Sequence, residues 1–429
     1  MKSGWVRVTG GTIFVIALAY GICVTPTPAR ADEQALHAAL EDFARFGLGK
    51  EIQVPEDGRR TPQSPVYFEW WYFDGLLDDG TVVVVWFGDN WLYGSHKRAV
   101  DIELTPPGKA TRRIMRTFNE PGSFASDHAD IAIGPHRFEG DLKSYTIHVD
   151  AKDTGGLGCD LVLKRRVPSY RPATGHIVAG DKVFAWFVAV PEGAISGALT
   201  ADGVTRRVAG SGYHDHNWGN VSPADLFDDW WWGRGLSGGH TIIASEIHAK
   251  AAVGGSSVPL FFIGDDHGVE VNAFAPDVSV AEGAPVRHPD PNHERAIASG
   301  VSFAVANGDK ATFRISDRLL TSSSLLEGQP LAMRGIATIM ALKPWYSRFE
   351  SPITLELAGQ RPTDGKGTLE YFELRLVESR VGTPMSGVGT PVALRHLQPE
   401  SLPRLFAARA ASLSGASVSP SKAWPCSTS

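Results

Sequence analysis

Cysteine is scarce: the 429 residues hold three, Cys23, Cys159 and Cys426, far apart in the chain. Neither a disulfide framework nor a zinc-type cysteine cluster can therefore be the source of stability. No serine sits at a nucleophile elbow, no Gly-Lys-Ser/Thr loop could cradle a phosphate, and no dinucleotide fingerprint opens a helix. Serine hydrolysis of that type and nucleotide chemistry are not expected. Basic charge is also in short supply. Lys and Arg number 41 against 47 Asp and Glu, the formal net charge is −6, and no long Lys/Arg run occurs, so nothing favours a nucleic-acid partner. Residues 65–221 lack a helical period as well.

Glycine and aromatic residues are plentiful. There are 46 glycines and aromatics make up 10% of the chain, a balance that suits many short strands joined by glycine-rich turns. Aromatic and β-branched runs predict strands at 66–75 and 81–87, joined by the turn Asp78-Asp79-Gly80. Further strands are predicted at 99–104, 112–118, 128–133, 137–142, 145–151, 159–166 and 183–190. After Trp232 the pattern restarts, at 241–249, 258–263, 269–273, 300–306, 311–315, 335–342 and 367–376. So many strands need a sandwich or a closed barrel to remove their edges, and the length suggests two domains.

The termini differ from this body. Lys2 and Arg7 precede an apolar run, 13–24, and a small-x-small site at Ala29-Arg30-Ala31. That order is a signal peptide over residues 1–31, implying export, in all expectation to a periplasm; an uncleaved membrane anchor is the alternative. Its removal leaves Cys159 and Cys426, either as one disulfide or as two free thiols. Residues 32–46 read as a helix capped by Asp32, with an apolar stripe of Leu36, Leu40, Phe43 and Ala44, followed by a linker to residue 60. The tail, 381–429, is rich in Gly, Ser, Pro and Ala, with one short amphipathic helix at 401–411 and disorder beyond it.

The chemistry concentrates in Gly210-Ser211-Gly212-Tyr213-His214-Asp215-His216-Asn217-Trp218-Gly219-Asn220 and in Asp229-Trp230-Trp231-Trp232-Gly233-Arg234. On a strand, side chains alternate, so Tyr213, Asp215 and Asn217 share one face while His214 and His216 share the other. A carboxyl buried beside aromatic rings is held neutral and can protonate an alkene, and the rings can stabilise the cation that results. The plainer alternative has Asp215 accepting backbone hydrogen bonds in a turn. His214 and His216, spaced i, i+2, could share a metal with Glu246 or His248, but no third ligand stands at a diagnostic spacing and no metal is expected. Glu69, on a face with Tyr67, Trp71 and Phe73, needs a buried partner such as Arg234, or else lines a cavity as a second acid or base. Trp230, Trp231 and Trp232 put large rings on both faces of one strand, for packing or for an apolar ligand.

Four segments in order, Tyr67-Phe68-Glu69-Trp70-Trp71-Tyr72, Gly212-Tyr213-His214-Asp215-His216-Asn217-Trp218-Gly219, Trp230-Trp231-Trp232-Gly233-Arg234 and Gly367-Thr368-Leu369-Glu370-Tyr371, resemble the hydroxyneurosporene synthase (CrtC, carotenoid 1,2-hydratase) family and its AttH-like relatives. The resemblance covers about residues 60–378. It implies an all-β protein of two tandem lipocalin-like β-barrel domains with a short N-terminal helix, at 61–235 and 236–380. It also implies hydration of an isoprenoid or related lipid alkene without a cofactor. Asp215 would be the proton donor, Tyr213 and an upstream tryptophan would stabilise the cation, and Trp186 is the positional match for that tryptophan. The supporting, ligand-binding set is His214, His216, Asn217, Trp218, Glu69, Trp71, Trp230, Trp232 and Arg234. Two alternatives stay open: a carrier of an apolar ligand in a lipocalin-like cavity, and a cyclase or isomerase that folds a polyene there. The partner is an apolar small molecule or lipid, with association at a membrane surface; the oligomeric state is not specified.

Overall fold

A computed structural model describes residues 40–60, 66–92, 95–324 and 344–374. The leader, the strand expected at 335–342, Cys426 and the tail lie outside the described residues. Of the helix expected at 32–46, the described part forms α1 (Leu40–Arg45).

Twelve strands form the first sheet. In chain order they are β1 (Tyr67–Leu77), β2 (Val82–Leu92), β3 (Ser95–Thr105), β4 (Arg112–Phe118), β5 (Ser123–Phe124), β6 (Ala129–Ile133), β7 (His136–Gly140), β8 (Ser144–Val149), β9 (Leu157–Arg165), β10 (His176–Ala179), β11 (Lys182–Ala201) and β12 (Val204–Gly219). The path runs β4-β3-β2-β1-β12-β11-β9-β8-β7-β6-β5, with β10 paired to β11. The chain then turns through a short helix, α2 (Pro223–Leu226). Ser222 caps it by accepting a hydrogen bond from the Ala224 N–H, and Pro223 starts it, where the missing N–H costs nothing.

The second sheet begins at once with β13 (Phe227–Ser237), so residues 227–235 belong to it and not to the first, as a boundary at 236 would have them. It continues through β14 (His240–Ala249), β15 (Ser257–Gly264), β16 (Val269–Phe274) and β17 (Val278–Glu282). A separate ribbon, β18 (Pro285–Arg287) with β19 (Ala296–Ala298), interrupts it before β20 (Gly300–Val305), β21 (Lys310–Arg314), β22 (Leu319–Ser324), β23 (Trp345–Glu356) and β24 (Thr363–Glu373). Its path is β16-β15-β14-β13-β24-β23-β21-β20-β17, with β22 on β23. Both sheets curl on themselves in the lipocalin-like manner.

Each sheet wraps its own apolar core. Trp71, Phe73, Phe87, Phe138 and Phe187 fill the first, and Trp231, Phe261, Phe303, Phe313 and Phe349 the second. A third cluster draws on both, with Phe68, Phe184, Trp186 and Tyr213 from the first sheet and Phe227, Ile243, Ile247 and Phe262 from the second. Burying this apolar surface holds the two sheets face to face. The stretch before β1 is more than a linker, because a helical turn, Val54–Asp57, plugs the first sheet. There the Tyr145 hydroxyl donates to Asp57 Oδ2 (2.5 Å) and Trp71 Nε1 donates to the Asp57 carbonyl (2.9 Å).

Candidate active site

β12 lies between β1 and β11, and the antiparallel register fixes what shares its outer face. Asp215 stands opposite Tyr72 on β1 and Val188 on β11; Asn217 stands opposite Trp70 and Trp186. Directly opposed residues project to the same side. Trp70, Tyr72, Trp186, Asp215 and Asn217 therefore converge on one cavity of about 140 Å³. The second sheet closes it with Trp230 and Trp232 of β13, Ser245 and Ile247 of β14, and Glu370 of β24. Period-two alternation on β13 sends Trp231 the other way, into the second core.

Asp215 is bound within this cavity by three donors. The Tyr213 hydroxyl (2.7 Å) and the Trp186 indole N–H (3.2 Å) donate to Oδ2, and the Asn217 amide (2.9 Å) donates to Oδ1. The side chain is 8% exposed. Burial pushes its carboxyl up to about 6, the hydrogen bond from Tyr213, the charge of His214 and the bond from Trp186 pulling the other way. Burial likewise raises the Tyr213 phenol well above its usual range. Trp186 and Trp232 meet edge to face at 4.8 Å, so ring faces and edges surround the acid.

A second carboxyl shares the cavity. Glu370 stands opposite Trp232 on β13 and Arg348 on β23, with Arg348 Nε 3.5 Å from its Oε1. Burial pushes it up to about 7, opposed by Arg348 and by a hydrogen bond from Tyr346, and reinforced by Asp74 and Asp215. Arg348 is itself buried; it binds Asp74 and donates to the Tyr72 hydroxyl (2.9 Å). Arg234 also binds Asp74, and its guanidinium lies 4.9 Å from the centre of the Tyr213 ring.

Several expected site residues lie elsewhere. His214 and His216 face the interior of the first sheet, where His214 Nε2 is 3.1 Å from Asp57 Oδ2 and His216 Nε2 is 3.0 Å from Glu69 Oε1. Glu69 is paired with Arg59 (3.1 Å) and His216, not with Arg234, and does not line the cavity. The cause is phase: Glu69 and Trp71 point inward, while Trp70 and Tyr72 point to the cavity. Trp71 stacks on His216 at 4.5 Å, and Trp218 packs near His176 at 5.5 Å beside a different pocket. Glu246 and His248, weighed as metal partners of these histidines, are engaged within the second sheet, His248 with Asp229 (2.5 Å) and Glu246 with Ser257 (2.7 Å). Cys159 is a buried free thiol, pushed by burial to about 12.

Fold and site thus define a lipocalin-like β protein with a buried carboxyl, raised by burial, in an aromatic cavity between two sheets. No family model matches the chain. It is 25% identical over 338 residues to a hydroxyneurosporene dehydrogenase of Chlorobaculum tepidum, covering 66% of this chain and 85% of that one. Among solved structures, an AttH protein of Nitrosomonas europaea superposes with a TM-score of 0.53 at 15% identity, covering 76% of this chain and 98% of the other. CghA in complex with Sch210972 gives 0.53 at 16%, covering 76% and 96%. Kievitone hydratase of Nectria haematococca gives 0.51 at 12%, covering 80% and 97%. The chain is thus similar in sequence to a CrtC-like protein and shares the lipocalin-like fold of the AttH-like structures.

Proposed function

We propose that this protein is a cofactor-independent hydratase that adds water to the alkene end of an isoprenoid, carotenoid-like or related lipid. The observation that carries the proposal is Asp215. It is buried, its carboxyl holds its proton up to about pH 6, and it opens onto a cavity walled by Trp70, Trp186 and Trp232. The acid O–H breaks as its proton forms a C–H bond at the less substituted alkene carbon. The tertiary cation left behind lies against the indole faces of the cavity, which stabilise positive charge, while Tyr213, buried behind Asp215, holds the acid in place. Water then forms the C–O bond and releases a proton. The relative named a hydroxyneurosporene dehydrogenase supports the substrate class, and the structural neighbour named kievitone hydratase supports the reaction type. The N-terminal segment supports action outside the cytoplasm, on a lipid met at a membrane surface.

Incubation of the purified protein with prenyl lipids in heavy-oxygen water tests the proposal. Hydration places the label in a tertiary alcohol. An unlabelled isomer would make the protein a cyclase or isomerase, and unchanged lipid recovered bound would make it a carrier. Asp215→Asn is expected to lower the rate by about 10²–10⁴-fold, the usual contribution of a positioned general acid; hydration at the parental rate would remove Asp215 as donor.

A further inference from the structure

We propose that Glu370 is a second catalytic carboxyl, which takes a proton from the attacking water while Asp215 gives one to the alkene, and that the two hold a single proton between them. This rests on the hydratase assignment above and adds the missing base to it.

Position is the first argument. Glu370 reaches the cavity from the second sheet and Asp215 from the first, so a ligand held there has one carboxyl on each side. Charge is the second. Two cations serve this centre, the part-buried Arg234 and the buried Arg348, and both bind Asp74. Both guanidiniums are thus committed to Asp74, and together with Asp215 and Glu370 it makes three carboxyls against two cations. Balance in a buried site is met when one of the three keeps a proton. That one is Asp215 or Glu370, because Asp74 has both cations on it.

The other groups facing the pair do not upset the count. Toward Asp215 come Tyr213, Trp186 and Asn217, which are neutral donors, and His214, which is bound to the separate carboxylate of Asp57 on the far face of the strand. Toward Glu370 come Arg348 and the neutral Tyr346. Farther out, Glu192 has its own cation in Arg166 (3.1 Å), while Glu103 shares Arg113 (3.2 Å) with Asp101 (2.5 Å), and burial raises both Glu103 and Asp101 so that they favour their protons.

The step balances. The Asp215 O–H bond breaks and a C–H bond forms; the water C–O bond forms, a water O–H bond breaks, and Glu370 carboxylate takes that proton. The spent pair still holds one proton, now on Glu370, and a water in the cavity returns it to Asp215 before the next turnover. No oxidant or cofactor enters.

Rate against pH is the test, with carboxyl titration as a readout that needs no substrate. The parent should give a bell whose two limbs belong to the pair. Glu370→Gln should lower kcat by about 10²-fold or more, leave KM within a few-fold, and lose the limb on the acid side, where protonation of the base cuts activity. Glu370→Asp should restore that limb in part. In Asp215→Asn, ¹³C-carboxyl titration should find Glu370 ionising at lower pH, because the carboxylate that favours its proton is gone. A Glu370→Gln enzyme with the parental rate and bell overturns the proposal, as does a Glu370 titration unmoved by Asp215→Asn. Failure of the hydratase assignment shows separately, as no heavy oxygen in the product of the parent.

Discussion

The Asp215 carboxyl ionises at 3.8 in an unstructured chain and at about 6 in the fold. From about pH 4 to pH 6 the folded state keeps a proton that the unfolded chain has released, so stability falls as pH rises through that window and stays lowered above it. A gap of about 2 pH units corresponds to about 3 kcal/mol, the order of the cost of holding this acid for use. Asp215→Asn removes the ionisation. It should therefore gain about 1–3 kcal/mol on the parent between about pH 4 and pH 8, read as the difference in denaturant midpoints at the two pH values. A variant whose advantage does not grow with pH would mean that the carboxyl ionises in place without penalty. The same reasoning applies to Glu370, which is raised to about 7 by the same cause.

At the scale of the element, the site depends on how closely β13 and β24 approach. Gly235 and Gly367 are directly opposed, and a Cβ on Gly367 would lie 1.9 Å from the Arg234 carbonyl. Neither position has a left-handed backbone; closeness alone requires glycine. Gly367→Ala should cost about 1–3 kcal/mol through forced separation of the two strands, seen as a lower urea midpoint with an unchanged slope. An unchanged midpoint would show slack between β13 and β24.

Strand phase explains what the sequence could convey about this site. Alternation along one strand was enough to put Tyr213, Asp215 and Asn217 on one face and the histidines on the other, and the structure has them so. Strand 112–118 was likewise legible from its own residues. What failed needed pairing. On β1 the choice between Glu69 with Trp71 and Trp70 with Tyr72 turns on register with β12, and a slip of one residue exchanges the faces. The strand expected at 183–190 runs on as β11 to Ala201, because irregularities between Val188 and Gly193 accommodate Pro191, a residue without an N–H. Glu370 sat in a recognised motif with nothing local to mark it, since its partners Arg348 and Trp232 are distant in sequence. The Val54–Asp57 plug was hidden for the same reason.

Across the whole molecule, apolar packing and several polar contacts join the two sheets, Arg234 and Arg348 on Asp74 among them. Arg348 of β23 binds Asp74 and Tyr72 of β1, and is 3% exposed. Removing only the cation would leave Asp74 buried without half of its pairing and Glu370 without its neighbouring charge, which costs about 3–5 kcal/mol for a buried pair. Arg348→Met, with a side chain of similar length, should thus lower the thermal midpoint strongly. It should also split a single unfolding transition into two, as the second sheet parts from the first before either core melts. The double variant Asp74→Asn with Arg348→Met isolates the cause: with the Asp74 charge gone and only the partly exposed Arg234 losing a partner, it should recover part of the lost stability. If the double variant is as unstable as the single one, then the apolar cluster around Trp186 and Phe262, and not the Arg348–Asp74 pair, carries the joint between the sheets.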